Sequence, residues 1–499
     1  MIDVAINWRA PLCACSILLF TMITACTGDS VENAVDTAIN PSASVRPAPV
    51  IPASVNFRNP PSTPEAVCGE GSVPETGLQG QVSRDDHRSG RATEGFKCNA
   101  ELVGKHARDF SIGTVAGFKV ERYVDKAGRE CAYYDSTLLF PTNILDGKFG
   151  VIVLDMSDPS NPLETAALTS PAMLSPHESL VLNQERGVLA AVAGVVTLTS
   201  GMLDLYDVSE DCRYPKLMSS TSTGLEGHES GISPDGLTFF VASASANTLG
   251  AFDIADLSLP KMLWVGAYAS HGLNVSDDST RAYVTTLDDN AGLYILDISE
   301  IKGRKPNPKV REVSYLSWQA ASIPQNAIPF TSGGREFLLE VDEYSTDKPG
   351  GVPGSFRSNN GAARIIDITD EEKPFVASNL RLQVHDLENR DRLSKDPGFY
   401  NIVGGYGAHY CNLPTRDNPK IAACSMLISG LRIFDISDPY SPREIAYFNA
   451  PVTPRVVPIP ARSSNLAQSS PTFVPERKEV WYSDGFSGFY AVRLTNGVW

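Results

Sequence analysis

The chain has 499 residues, a formal net charge of −16, and 42% hydrophobic and 20% charged residues. Such an acidic surface repels phosphate backbones and excludes nucleic acid as a partner. A chain this long suggests about three ordinary domains unless repeats build one closed unit, so repeats come first.

Residues 1–26 read as an export signal. Arg9 precedes an apolar run from Ala10 to Met22, too short to span a bilayer, and small residues lead to a cysteine in Ile23-Thr24-Ala25-Cys26. These four residues resemble a bacterial lipobox, which implies a lipid anchor on Cys26 as the mature N-terminus and a place on the periplasmic or outer-membrane face of the cell envelope. Residues 27–64 are rich in Pro, Ser, Ala and Val without periodicity and are expected to form a semi-extended tether. Residues 65–95 carry many Gly, Arg and Asp; irregular structure is expected, stapled by Cys68, with Cys98 one candidate partner.

Two of the nine cysteines, Cys13 and Cys15, leave with the signal and Cys26 takes the lipid. The remainder are Cys68, Cys98, Cys131, Cys212, Cys411 and Cys424. An even number in an exported chain suits disulfides, and the absence of C-x-x-C removes support for a redox dithiol or a zinc ribbon. Cys411 and Cys424 fall almost symmetrically about the turn Thr415–Lys420, which predicts a bond across an antiparallel pair. The pairing of Cys68, Cys98, Cys131 and Cys212 stays open.

From residue 96 to 499 one pattern returns: "GVIVLDMSDPSNPLETAAL", "MLDLYDVSEDCRYPKLMSS", "LGAFDIADLSLPKMLWVGAY", "GLYILDISEIKGRKPNPKVREVSYL", "ARIIDITDEEKPFVASNLRL" and "GLRIFDISDPYSPREIAYF". Each joins an apolar strand to Asp-hydrophobic-Ser or Thr, with Ala255 in the third copy, then a turn and a second strand. Two further strands precede each pair, as in "HESGISPDGLTFFVASAS", so the unit is the four-stranded blade of a propeller. The final copy, "FVPERKEVWYSDGFSGFYAVRLTNGVW", lacks a fourth strand, and "NAELVGKHA" from Asn99 resembles one. The expected fold is an all-β, seven-bladed propeller closed by that N-terminal strand, around Glu101 to Lys105, completing the last blade.

The strings "VIVLD", "LYILD" and "RIFDISDPYSPREIAYF" resemble the LVIVD repeat of bacterial surface and periplasmic proteins. That resemblance implies the propeller and little about activity.

Aligned blades place His177, His228, His271 and His409 at or near the start of innermost strands, with Gln325 and Gln468 at corresponding positions as channel-lining residues. The four histidines are expected to point into one channel near one mouth. A ring of imidazoles suits Cu or Zn, and the chain is distantly similar to the selenium-binding protein and methanethiol oxidase propellers, a resemblance that implies copper on channel histidines. The preferred reading is that the histidines repeat because the blade repeats, each bonding a neighbouring blade. Glu178 and Glu229 follow two of them and, by strand alternation, are expected to face outward. His177-Glu178 and His228-Glu229 fail the H-E-x-x-H motif at Val181 and Ile232, and residues 485–489 fail G-x-S-x-G.

Glu340, Asp342 and Glu343 end a strand; the expectation is solvated acids, with a hard-cation site as the alternative. The insertion from Gln383 to Tyr406, with His385, Asp386, Arg390, Arg392, Tyr400 and Tyr406, is a candidate binding loop. The preferred function is a membrane-tethered module that binds or scaffolds a protein or small-molecule partner. The alternative is a Cu- or Zn-dependent enzyme, such as an oxidoreductase, using the channel histidines.

Overall fold

The computed structural model describes residues 60–108, 116–137, 150–194, 201–243, 247–286, 291–318, 322–346, 359–399, 405–453 and 465–499. The signal, the lipobox and nearly all of the expected tether lie outside the described residues. Among the described residues, no helix is long and apolar enough to cross a membrane.

Seven antiparallel sheets follow in chain order, each with at least four strands. Their innermost strands are Val120–Val124, Val181–Asn183, Gly231–Ile232, Ser270–Val275, Ile323–Ser332, Tyr410–Asn412 and Thr472–Val474, which number the blades 1 to 7. The expected seven-bladed propeller is the observed fold.

The repeat has a local cause. The third strand of each blade, such as Val151–Asp155, is buried on both faces because each blade packs between two others, so it reads as a continuous apolar run rather than an alternation. It ends on an Asp whose Oδ1 accepts the backbone N–H two residues on, a turn made by Asp155, Asp207, Asp253, Asp297, Asp367 and Asp435. Asp-hydrophobic-Ser, with Ala255 or Thr369 replacing the Ser in two blades, is thus the chemistry of one turn, repeated in six blades.

Blade 7 is closed as expected. Strand Ala100–His106 pairs with Gly488–Leu494, Ala100 opposite Leu494 and His106 opposite Phe489. A register shift between Leu102 and Gly104 matches the bulge between third and fourth strands in the other blades, as between Ile433 and Phe434. The N-terminal strand is therefore a true fourth strand. Phe96–Cys98 adds a fifth strand to blade 6.

Residues before this closure are more ordered than expected. Helix Arg84–Ser89, with a capping box between Ser83 and Asp86, interrupts the segment expected to be irregular. The folded part also begins ahead of residue 65. Thr63 is buried and its N–H donates to the Arg381 carbonyl at 2.8 Å. Disulfides join Cys68 to Cys98, Cys131 to Cys212 and Cys411 to Cys424, the last as expected, with Cys411 directly opposite Cys424.

A candidate metal centre in the channel

The four histidines converge. Ring centroids of His177 and His228 are 4.5 Å apart and those of His228 and His271 4.4 Å, as consecutive blades bring them to one level. His271 Nε2 lies 2.7 Å from His228 Nε2. Blade 1 presents Phe118 in the equivalent place, packed against His177 and His409 with centroids at 5.2 and 4.9 Å.

Two glutamates complete the layer. Glu178 Oε2 is 3.2 Å from His228 Nε2, and its Oε1 is 3.1 Å from His409 Nε2. Glu343 Oε1 is 3.2 Å from His271 Nε2, and its Oε2 is 3.0 Å from His409 Nε2. The outward orientation expected of Glu178 and Glu229 is therefore wrong. Alternation fails because His177 and Glu178 precede the regular strand and His177 has φ +52°, a left-handed conformation that re-aims the residues beside it. Glu229, whose neighbour His228 also lies ahead of its strand, reaches across the channel to Lys119 Nζ at 2.8 Å and to Asn326.

Backbone contacts fix two of the imidazoles. His271 Nδ1 is 2.6 Å from the Pro324 carbonyl and His409 Nδ1 2.6 Å from the Gln468 carbonyl. Each carbonyl holds a proton on Nδ1 and turns Nε2 toward the carboxylates, the arrangement that orients metal-ligating histidines. His409 is also held by Tyr344, stacked at 5.2 Å, and Tyr410, edge-on at 4.6 Å. Yet neither His409 Nε2 nor Glu343 Oε2 has an aligned hydrogen bond, although they lie 3.0 Å apart.

The protons of this layer are strongly biased. Burial, helped by the charge of His228, lowers the pKa values of His177 and His271 to about 3. Burial also opposes charge on His409, but Glu178 and Glu343 outweigh it and raise its pKa to about 10. Burial works against an ionised Glu178, whose pKa His228 and His409 nonetheless hold well below the usual carboxylate range. Burial raises that of Glu343. Glu178 also raises the pKa of His228 against burial, so two imidazoles held neutral, two whose charge the carboxylates favour, and the buried carboxylates share one level.

Three overlapping sets of donors lie within 4.8 Å of one another: His177, Glu178 and His228; His228, His271 and Glu343; and Glu178, Glu343 and His409. All-nitrogen-and-oxygen sets suit Zn, Cu(II), Mn or Fe rather than a thiolate-seeking metal. His228 is the most exposed member, at 15% of its side chain.

The two glutamines differ. Gln325 sits in the layer, its Nε2 donating to Glu178 and, at 2.8 Å, to the Tyr410 hydroxyl. Gln468 turns away, and its amide donates to the Ala116 and Gly117 carbonyls, joining blade 7 to blade 1. Below the layer, Lys119, Glu229, Asn326 and Tyr410 line a polar cavity of about 410 Å³, with Asn183, Asn274 and Arg416 farther along.

The other acidic candidates are structural. Glu340 and Asp342 are fully buried and grip Arg364, whose Nη1 and Nη2 donate to Asp342 at 2.9 and 2.8 Å. They are neither solvated nor free for a cation. The insertion from Gln383 is packed as well. Tyr406 bonds Val82 and Asp396, Gln81 bonds Asp396, and His385 and Arg390 are buried, so the expected binding loop is a seat for the N-terminal segment. Tyr400 lies outside the described residues.

The LVIVD repeat family matches residues 144–169. No curated protein matches the chain. Among solved structures, Kuenenia stuttgartiensis hydrazine synthase is 14% identical with a TM-score of 0.49, covering 77% of this chain and 97% of that one. The Myceliophteria thermophila Cps50 (Swd1) β-propeller domain is 10% identical with a TM-score of 0.46, covering 79% and 98%. A functionally unknown protein from Desulfotomaculum acetoxidans DSM 771 is 12% identical with a TM-score of 0.44, covering 70% and 94%. These likenesses carry no functional argument, and the fold rests on the seven sheets. The chain is a seven-bladed β-propeller carrying the LVIVD repeat.

Proposed function

We propose that the protein is a metal-dependent enzyme of the cell envelope whose reaction takes place at the histidine–glutamate layer of the propeller channel. The observation that carries this reading is the convergence of His228, His271, His409, Glu178 and Glu343 at donor separations of 2.7 to 3.2 Å with hydrogen-bond alignment missing at His409 Nε2 and Glu343 Oε2. Donors bound to one ion at about 2.0–2.1 Å sit about 2.9 to 3.4 Å apart along the edges of an octahedron or tetrahedron. A hydrogen-bonded core network would align its donors instead. The adjoining polar cavity is of a size for a small polar substrate.

Wild-type protein stripped by a chelator should rise in melting temperature when Zn²⁺ or Cu²⁺ is added, and His228→Ala should lose that response while keeping the fold. A wild type indifferent to Zn²⁺, Cu²⁺ and Mn²⁺ would remove the proposal.

Anchorage through Cys26 belongs to the same reading. Three disulfides support passage through an oxidising compartment. Cys26→Ala should shift the protein from membrane to soluble fractions; unchanged fractionation would exclude the lipid. A second reading, a protein-binding scaffold, draws on apolar side chains exposed at the outer rim, among them Leu163, Tyr214, Leu259, Met262, Phe375 and Tyr440.

A further inference from the structure

Resting on the metal reading above, we propose that the layer holds two metal ions, bridged by the carboxylate of Glu343. Two atoms bound to one ion at about 2.1 Å are at most about 4.2 Å apart. His409 groups within 4.8 Å only with Glu178 and Glu343, and neither His228 nor His271 enters that set. His409 and the His228–His271 pair therefore serve different ions.

The sets that contain His228 behave differently. His228 Nε2 faces both Glu178 Oε2 and His271 Nε2, but an imidazole nitrogen has one lone pair and serves one ion. The two sets that share it thus compete for it, and Glu178 and His271 enter no common set, so only one of those two sets is filled and the count is two, not three. Carboxylates carry no such restriction, because each has two oxygens. Glu178 gives Oε2 to the His228 side and Oε1 to His409; Glu343 gives Oε1 to the His271 side and Oε2 to His409. Glu343 alone shares one set with both His228 and His271 and another with His409, as a carboxylate does when it bridges a pair of ions.

One ion then has His228, His271 and Glu343 Oε1. The other has His409, Glu178 Oε1 and Glu343 Oε2, and three protein ligands leave open positions, as a catalytic ion requires. The donor sets of the described residues consist of imidazole and carboxylate alone, which points to a divalent, borderline-to-hard pair such as Zn²⁺, Mn²⁺ or Cu²⁺.

The test is stoichiometry. Full-length protein stripped with chelator, reloaded with Zn²⁺ and desalted should retain two equivalents per chain by elemental analysis, and His409→Ala and Glu343→Gln should each retain one. Loading with Cu²⁺ should give an electron paramagnetic resonance spectrum of a coupled pair in the wild type and of an isolated ion in His409→Ala. One equivalent in the wild type, unchanged by His409→Ala and with an uncoupled Cu²⁺ spectrum, would overturn the bridged pair while leaving a metal centre. No retained metal at all would instead remove the reading on which the pair rests. The wild-type spectrum decides the matter even if a variant fails to fold.

Discussion

Two buried clusters of charge, one in blade 6 and one in the channel, are built on opposite plans. In blade 6 the fully buried Arg432 pairs with Glu75 and with Glu444 at 3.0 Å, donates Nε to the Ser429 carbonyl at 2.8 Å, and lies 4.4 Å over the Tyr447 ring. Gln79 and Ala66 satisfy the other Glu444 oxygen. Every charge there has a permanent counter-charge and aligned hydrogen bonds. In the channel, Glu178 and Glu343 face imidazoles, whose charge comes and goes with a proton, and His409 Nε2 and Glu343 Oε2, 3.0 Å apart, have no aligned hydrogen bond. A cluster satisfied by its own residues is architecture; one whose donors converge without satisfying each other is built around something else.

That difference can be broken experimentally, beginning with the largest effect. A chain starting at Phe110 loses the fourth strand of blade 7, the fifth of blade 6 and Glu75. It should aggregate, because the edge of Gly488–Leu494 is exposed. Unchanged solubility and melting would contradict closure by Ala100–His106. Next, Arg432→Met leaves Glu75 and Glu444 buried without a cation and should cost about 3–5 kcal/mol in denaturant unfolding. Metal retention per folded molecule should not change.

A smaller effect comes from pH. Burial and the charges of Arg381, Arg432 and Arg390 hold the His385 pKa well below its ordinary 6.5. Its Nδ1 accepts the Leu382 N–H at 3.1 Å. Above about pH 6.5 the residue is neutral folded or unfolded and its packing contributes in full. Below that the unfolded chain gains a proton the folded one refuses, so stability falls by at most about 1.4 kcal/mol per pH unit. His385→Asn, which keeps an acceptor, should flatten the loss between pH 6.5 and 5; identical profiles would refute the assignment.

The smallest expected change is the sharpest. In metal-free protein, Glu343→Gln should leave stability within about 1 kcal/mol or raise it, because it removes a buried carboxylate whose desolvation no aligned bond at Oε2 repays. A loss as large as that of Arg432→Met would make the channel cluster architecture as well.

How much of this was legible in the sequence follows from what repeats. The turn Asp, the apolar third strand and the missing fourth strand recur in register, so the blade count, the closure and the Cys411–Cys424 bond could be read directly. The four histidines were legible for the same reason. Glu178 was misplaced because strand alternation was applied to residues that precede the regular strand, where His177 takes a left-handed conformation. The positive φ left no mark in the sequence, since no glycine signals it. Glu343 was visible beside Glu340 and Asp342, but only pairing with Arg364, 22 residues or more along the chain, separates the two structural acids from the one that enters the channel. Gln468 shows the converse: its backbone carbonyl, not its amide, serves the site, and sequence position alone does not distinguish them.

The most direct test of the central claim is anomalous diffraction at the zinc edge from crystals of the full-length protein loaded with Zn²⁺. Strong peaks are expected inside the channel, between the Nε2 atoms of His228 and His271 on one side and that of His409 on the other, with Glu343 reaching both. A loaded crystal with no anomalous density in that layer, or with zinc only on surface carboxylates, would contradict that claim.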